Sequence, residues 1–204
     1  MKRKMIFAAF CLSAMSLSAQ IETPQPSPSA SFTQTVGLTE VEVEYSRPAK
    51  RDRVIFGDLV PFDEVWRTGA NKNTLFSTDD ILIFGKDTLT PGTYALFTKP
   101  VKGNAWEIMF YTDTENWGTP EKWDAEKVAV SVKSSNVTLN DAVESFTISV
   151  DDVATDGATL SLTWDKTKAN IPFTVPTKEK VLANIDKVMS GPSANDYYLS
   201  LIHI

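Results

Sequence analysis

Cysteine and histidine are almost absent from this chain. Its 204 residues include one cysteine, Cys11, and one histidine, His203. This scarcity excludes an intramolecular disulfide, zinc sites built from cysteine and histidine, haem bound by those residues, and iron–sulfur clusters. A Ser–His–Asp or Cys–His nucleophile would have to draw its base from the last two residues. We therefore expect no metal and no cofactor, in a composition otherwise typical of a globular domain.

Positive charge and long apolar runs are also scarce. The chain has 20 lysines and arginines against 26 acidic residues, a net charge of −6. Nucleic acid binds to basic surfaces, so this balance argues against it as a partner. Beyond the N-terminus no stretch approaches the ~18 consecutive apolar residues of a transmembrane helix, and we expect no membrane span.

The N-terminus has the layout of a secretory signal peptide. Three basic residues at positions 2–4 precede an apolar run that ends near Leu17, and small residues follow. The run is too short to cross a bilayer and is typical of a cleaved leader. We expect residues 1–19 to be removed, and Cys11 with them. The predicted location is periplasmic or extracellular.

Strand periodicity dominates most of the remaining chain. Residues 20–31 are rich in proline and serine, which predicts an extended segment. Over residues 32–175, alternating apolar residues and turn signals predict about nine short strands. Val41, Val43 and Tyr45, for example, alternate with three glutamates, so that one strand face is apolar and the other acidic. This pattern predicts an all-β domain, an antiparallel two-sheet sandwich or a jelly-roll-like barrel.

Two turn signals predict local strand pairing. Pro91-Gly92 suits a type II turn and predicts that residues 93–98 pair with the apolar run at residues 81–84. Asp156-Gly157 predicts a hairpin between the strands on either side of it. Residues 171–175 are expected to form a separate last strand.

Residues 176–204 have helical rather than strand spacing. Apolar residues from Val181 to Met189 recur on one helix face, with Thr177 as the predicted cap. Ser193 would open a second helix of about two turns, which is marginal by itself. We therefore expect one or two C-terminal helices and a natural protein that continues beyond residue 204.

Arginine is concentrated in a single stretch of the chain. Four of the five arginines lie within residues 46–74, and the fifth lies in the predicted leader. The interval from Arg47 to Lys72 has six basic and four acidic residues, on an otherwise acidic protein. A guanidinium group is a planar fork of donors that can bind a carboxylate or phosphate through two hydrogen bonds.

Two interpretations of this stretch are open. In the first, six residues converge on a small anionic or glycan ligand: Arg47, Arg51, Arg53, Trp66, Arg67 and Asn71. In the second, the arginines hold a long connection to the sheet by pairing with nearby acidic residues and donating to loop carbonyls. The first interpretation predicts a non-catalytic binding or scaffold domain, with no catalytic residue assigned.

Two other functions are kept as alternatives. One is a cofactor-free, carbohydrate-active hydrolase that uses paired carboxylates, which need a separation of about 5–9 Å across the scissile bond. The other is a structural partner in an envelope complex that docks through the C-terminal helices. Trp117 and Trp123, in the loop 112–127, are either a lid over the sheet or a binding platform.

Several short strings carry a resemblance to a known family. They begin at Tyr45 (Tyr-Ser-Arg-Pro), Ile55 (Ile-Phe-Gly) and Pro91 (Pro-Gly-Thr-Tyr-Ala-Leu-Phe), and the most specific begins at Trp66 (Trp-Arg-Thr-Gly-Ala-Asn). Together they resemble the secreted bacterial family called domain of unknown function 2911, over roughly residues 25–175. The resemblance implies an envelope or secreted protein of the Bacteroidetes type and no particular activity. Where such sequences often have Arg-Gly-Arg, this chain has an aspartate at position 52.

Overall fold

A computed structural model describes residues 23–103 and 105–191 of the chain. The predicted leader with Cys11, and the predicted second helix with Ser193 and His203, lie outside these residues. Within them, strands form two antiparallel sheets and one helix follows. The predicted all-β sandwich with a C-terminal helix is therefore confirmed.

Ten strands precede the helix in the described residues. They are β1 (Ser29–Val36), β2 (Thr39–Ser46), β3 (Thr74–Thr78), β4 (Leu82–Phe84), β5 (Asp87–Leu89), β6 (Gly92–Lys99), β7 (Glu107–Tyr111), β8 (Val128–Lys133), β9 (Ser135–Asp151) and β10 (Gly157–Thr174). A 3-10 turn spans Ala125–Lys127, and the helix α1 spans Thr177–Met189.

The two sheets face each other across a shared apolar core. One sheet has the order β1-β2-β3-β6-β7-β8 and the other the order β5-β4-β10-β9. On β2 the predicted alternation holds, because Val41, Val43 and Tyr45 are buried while the three glutamates between them are exposed. On β10 of the other sheet, Leu160 and Leu162 are buried in the same core. Burying one face of each sheet against the other is what makes the sandwich stable.

The pairing predicted from Pro91-Gly92 is wrong. Strand β6 begins at Gly92 and pairs with β3 and β7, in the larger sheet. The run at residues 82–84 instead pairs with β5 and β10, in the smaller sheet. A two-residue turn at Gly85-Lys86 joins β4 to β5, and the chain then crosses to the other sheet. A strand of three residues is too short to show a period-two pattern, so the sequence analysis did not predict β5.

The predicted hairpin at Asp156-Gly157 is confirmed. It joins β9 to β10, which are 17 and 18 residues long and pair with two register shifts near Asp165. The separate last strand expected at residues 171–175 is instead the end of β10. The shifts break the alternation partway along, which is why one long strand looked like two.

Helix α1 is attached to the sandwich at its N-terminal end. It begins at Thr177 with Pro176 in the cap position and no side-chain capping bond, so the predicted Thr177 cap is wrong. Lys180 Nζ donates to the Leu38 carbonyl at 3.2 Å and pairs with Asp80 Oδ2 at 2.6 Å. The predicted apolar face is present and is exposed in the described residues. No helix among those residues has the length and hydropathy to cross a membrane.

The Lys180–Asp80 pair makes helix attachment dependent on pH. The hydrogen bond from Lys180 lowers the pKa of Asp80 below its ordinary value of 3.8; burial opposes the shift, and the Ile81 N–H reinforces it. A carboxyl whose pKa is depressed by folding stabilises the fold above its unfolded pKa and loses that effect as pH falls. We expect Asp80→Asn to lower the melting temperature at pH 7, with the difference from wild type shrinking as pH falls through 3.8 and vanishing only below the lowered pKa of the folded state. Asparagine can keep the bond to Ile81, so a difference that stays constant down to acid pH would show that charge is not the cause.

Candidate functional site

The arginine-rich stretch forms a long connection between β2 and β3 that contacts both sheets. Ala49 forms an isolated antiparallel bridge with Ser145, on β9 of the smaller sheet. Trp66 forms another with Thr98, on β6 of the larger sheet, through backbone bonds of 2.8 and 2.9 Å. The loop is therefore fixed at two points, and its side chains have defined positions between the sheets.

Trp66 is held in one orientation by neighbouring rings. It stacks on Trp164 with ring centroids 5.9 Å apart and an interplanar angle of 20°, and it meets Phe146 edge to face at 5.1 Å. Its indole N–H donates to the Gly69 carbonyl at 3.1 Å. With the indole donor satisfied and the ring packed on both neighbours, Trp66 forms a rigid apolar wall.

A hollow of about 310 Å³ opens between this loop and the extended N-terminal segment. We call it the arginine hollow. Arg51, Arg53 and Arg67 line it together with Trp66 and Trp164, and no aspartate or glutamate is among its lining residues. Four of the six predicted site residues thus meet at one place. Trp164 lies on β10 among core residues, and its position in the sequence gives no signal that it also borders a hollow.

Backbone carbonyls, not carboxylates, hold two of these arginines. Arg51 Nη2 donates to the Pro26 carbonyl at 3.0 Å. Arg53 donates from Nε to the Lys50 carbonyl at 3.0 Å and from Nη2 to the Ala49 carbonyl. Within residues 23–103 and 105–191 every ion pair uses a lysine. Arg51 and Arg53 are therefore positioned by neutral partners, and in the part of the chain that the structure describes no acidic side chain lies within ion-pair distance of the three guanidinium groups.

Among the described residues, the side chain of Arg67 is the least satisfied of the three arginines in its hydrogen bonding. Its Nε is buried and has no hydrogen-bond partner among the described residues. The guanidinium lies against the 112–127 loop, since a Cβ added at Gly118 would come 3.2 Å from Nη1. A buried donor without a partner is costly, and such a group often marks a place where a ligand or ion completes the site.

Arg47 and Asn71 lie outside the lining of the hollow. Arg47 donates from Nε to the Phe146 carbonyl at 3.0 Å and from Nη2 to Thr147 Oγ1 at 2.8 Å, which ties the end of β2 to β9. Asn71 Nδ2 donates to Ser46 Oγ at 3.2 Å and to the Ser27 carbonyl at 3.3 Å. Both side chains hold neighbouring segments in place.

Asp52 occupies a backbone conformation that favours glycine. Its φ is 58° and that of Arg51 is 49°, both in the left-handed region. Glu144 supports this turn, because its Oε1 accepts a hydrogen bond from the Arg51 backbone N–H at 2.9 Å. Aspartate is one of the side chains that tolerate this region, so the turn forms with aspartate where similar sequences have glycine.

The two loop tryptophans have different environments. Trp123 stacks on Tyr111 at 4.7 Å and meets Phe97 edge to face at 5.3 Å, so it covers the outer face of the larger sheet. Trp117, one residue before Gly118, is 80% exposed. The lid interpretation holds for Trp123, whereas Trp117 stands in solvent close to Arg67.

Carboxylates gather elsewhere on the surface. Glu40, Glu42 and Asp79 line a hollow of about 230 Å³ at the outer face of the larger sheet. Asp79 Oδ1 accepts a hydrogen bond from the Glu40 backbone N–H at 2.7 Å, so it supports the start of β2. Among the described residues, no group of three or more histidine, cysteine, aspartate or glutamate side chains is arranged to hold a metal ion.

Comparison with known proteins identifies a family and no individual relative. No curated protein and no solved structure matches the chain. Residues 27–173 match the family described as Protein of unknown function (DUF2911). The matched segment includes nearly all of both sheets and the whole arginine-rich loop. The chain therefore belongs to the DUF2911 family.

Proposed function

We propose that the protein is an exported, non-catalytic binding domain whose arginine hollow takes the anionic group of a small ligand or glycan. The observation that carries this proposal is the lining of the hollow. Three arginines line it together with two tryptophans, and no aspartate or glutamate shares the lining. The leader-like sequence of residues 1–19 supports export.

The chemistry of the hollow favours a planar or multidentate anion. Each guanidinium has five N–H donors in a fixed plane. Within the described residues Arg51 donates through Nη2, and Arg53 through Nε and Nη2, so each retains donors for a ligand. A hydrogen bond from a guanidinium to a carboxylate or phosphate contributes more than one between neutral groups. The hollow therefore suits a carboxylate or phosphate next to an apolar ring or sugar face.

The size of the hollow restricts the ligand to a small group. A volume of about 310 Å³ is at the lower end of ligand pockets, which hold about 300–1,000 Å³. One sugar ring or one short anionic group would fill it. Trp66 would supply the apolar contact, and its stacking on the buried Trp164 fixes it before any ligand arrives. Such preorganisation reduces the entropy cost of binding.

The direct test is ligand-dependent stabilisation of the purified protein. We expect an acidic oligosaccharide of hexuronic acid or inorganic phosphate to raise the melting temperature, and a neutral oligosaccharide of the same length to have no effect at this hollow. Ligand at ten times Kd should stabilise the fold by about 1.4 kcal/mol, roughly 3–6 °C for a chain of this size. Added salt should weaken the effect, since exposed charges are screened.

The matched variants are Arg67→Gln and Lys86→Gln. Each removes one positive charge, but Lys86 lies in the exposed turn between β4 and β5, away from the hollow. Arg67→Gln is expected to weaken anion binding about 10–100-fold, the effect of losing a hydrogen bond to a charged group. Lys86→Gln should bind as wild type does. Equal loss in both variants, or no stabilisation by either anion at millimolar concentration, would overturn the proposal.

A further inference from the structure

Asn73 is a buried amide whose hydrogen-bonding atoms are both unsatisfied. Its side chain is 3% exposed, and neither Nδ2 nor Oδ1 has a partner among the described residues. Each unmet buried polar atom costs about 1–3 kcal/mol, so native proteins rarely keep two in one side chain without a reason. Only the backbone of Asn73 is engaged, through its N–H and the Asn116 carbonyl at 3.3 Å.

Asn73 is one of the residues that line a second hollow, of about 450 Å³, which we call the Asn73 hollow. It lies where β1, β2 and the start of β3 come together. Its polar lining consists of Ser29, Ser31, Glu44, Ser46, Lys72 and Asn73. None of its lining residues borders the arginine hollow. The two hollows are therefore separate sites.

Asn71 connects the borders of the two hollows. Its amide donates to Ser46 Oγ, a lining residue of the Asn73 hollow, and to the Ser27 carbonyl, in a lining residue of the arginine hollow. This predicted site residue lines neither hollow and holds the two bordering segments together.

The charge in the Asn73 hollow is balanced, unlike that in the arginine hollow. Glu44 and Lys72 contribute one charge of each sign, and Lys72 Nζ also lies 3.7 Å from Glu115 Oε2. The other polar groups are serine hydroxyls and the Asn73 amide. Such a lining offers donors and acceptors together and no net charge to attract an ion.

We propose that the Asn73 hollow binds a neutral saccharide. A primary amide donates through Nδ2 and accepts through Oδ1, and adjacent hydroxyls of a pyranose ring can satisfy both at once. Serine hydroxyls and the Glu44 carboxylate would meet further sugar hydroxyls. This inference does not depend on the arginine hollow, because no lining residue is shared.

The test follows the Asn73 side-chain amide by NMR in the wild-type protein. Neutral monosaccharides (glucose, galactose, mannose and N-acetylglucosamine) are titrated to high millimolar concentration. At least one is expected to shift the Asn73 NH₂ resonances saturably, whereas inorganic phosphate leaves them in place. Binding is expected to weaken at least about 10-fold in Asn73→Leu, which keeps the size of the side chain and removes the amide. Arg67→Gln should retain sugar binding, which separates this proposal from the first.

Two results would overturn the proposal. One is the absence of any saturable shift of the Asn73 amide with all four sugars in the wild-type protein, a readout that needs no variant to fold. The other is an unchanged sugar affinity in a folded Asn73→Leu variant. If that variant is also more stable than wild type, the unsatisfied amide only destabilises the folded protein and is not part of a binding site.

Discussion

Replacing Trp164 with alanine is expected to lower the free energy of unfolding by about 3–5 kcal/mol, the usual range for a large aromatic residue in a core. The side chain is 2% exposed. It stacks on Trp66 and meets Phe56 and Phe146 at centroid distances of 6.4 and 5.8 Å. Its indole N–H also donates to the Glu144 carbonyl at 3.2 Å. Alanine would leave a cavity where both sheets and the arginine loop meet.

Urea unfolding followed by circular dichroism measures this effect, and Trp117→Ala is the matched control. Trp117 is the same residue type but 80% exposed, so its removal should change stability by no more than about 0.5 kcal/mol. Because Trp164 also lines the arginine hollow, Trp164→Ala should weaken anion binding even where the protein remains folded. Similar losses of stability in the two variants would contradict the packing described for Trp164.

Replacing Gly37 with alanine is expected to cost at least about 2 kcal/mol. Gly37 lies in the turn between β1 and β2 with a φ of 59°, a conformation that costs other residues about 1–2 kcal/mol. A Cβ there would also overlap the Thr155 carbonyl and the Thr177 hydroxyl. Overpacking of this kind typically adds about 1–3 kcal/mol, and a backbone carbonyl cannot move aside as a flexible side chain can.

Gly85→Ala separates the two contributions. Gly85 has a φ of 63°, close to that of Gly37, but a Cβ there would have no neighbour within 4 Å. The Gly85 variant should therefore show only the conformational cost, and Gly37→Ala should be the less stable of the two in thermal melts. Equal losses would mean that the turn shifts freely away from Thr155 and α1.

The proposed sites share a structural origin in the loop between β2 and β3. Bridges from Ala49 to β9 and from Trp66 to β6 fix this loop to both sheets. A loop held in this way can position side chains nearly as well as a strand does, while leaving space on either side. The Asn71 side chain in this loop binds one lining residue of each hollow, Ser27 and Ser46.

Much of the fold could be read from local patterns. The alternation on β2, the hairpin at Asp156-Gly157 and the apolar spacing of α1 all depend on residues close in sequence, and each is present. Strand partners were harder to predict. The pairing expected of residues 81–84 failed because β5 is only three residues long and intervenes before the chain changes sheets.

The candidate site, too, could be predicted only in part, because residue types are read from the sequence whereas side-chain contacts depend on the folded structure. The concentration of arginines singled out the loop that borders the arginine hollow, but the sequence does not distinguish the environment of Arg47 from that of Arg67. One binds the Phe146 carbonyl and Thr147, whereas the other has a buried Nε without a partner in the described residues. The Asn73 hollow had no sequence signal, because an amide becomes unsatisfied only through what surrounds it in space.

By itself the amino-acid sequence determined the fold class, the family, the scarcity of metal-binding side chains and the loop that carries the arginines. Each of these is a property of composition or of spacing along the chain. Only the tertiary structure decided which arginines line a hollow, that the Pro26 carbonyl holds Arg51, and that Asn73 is left unsatisfied. Those outcomes depend on contacts between residues up to about a hundred positions apart, and short-range periodicity carries no information about such contacts.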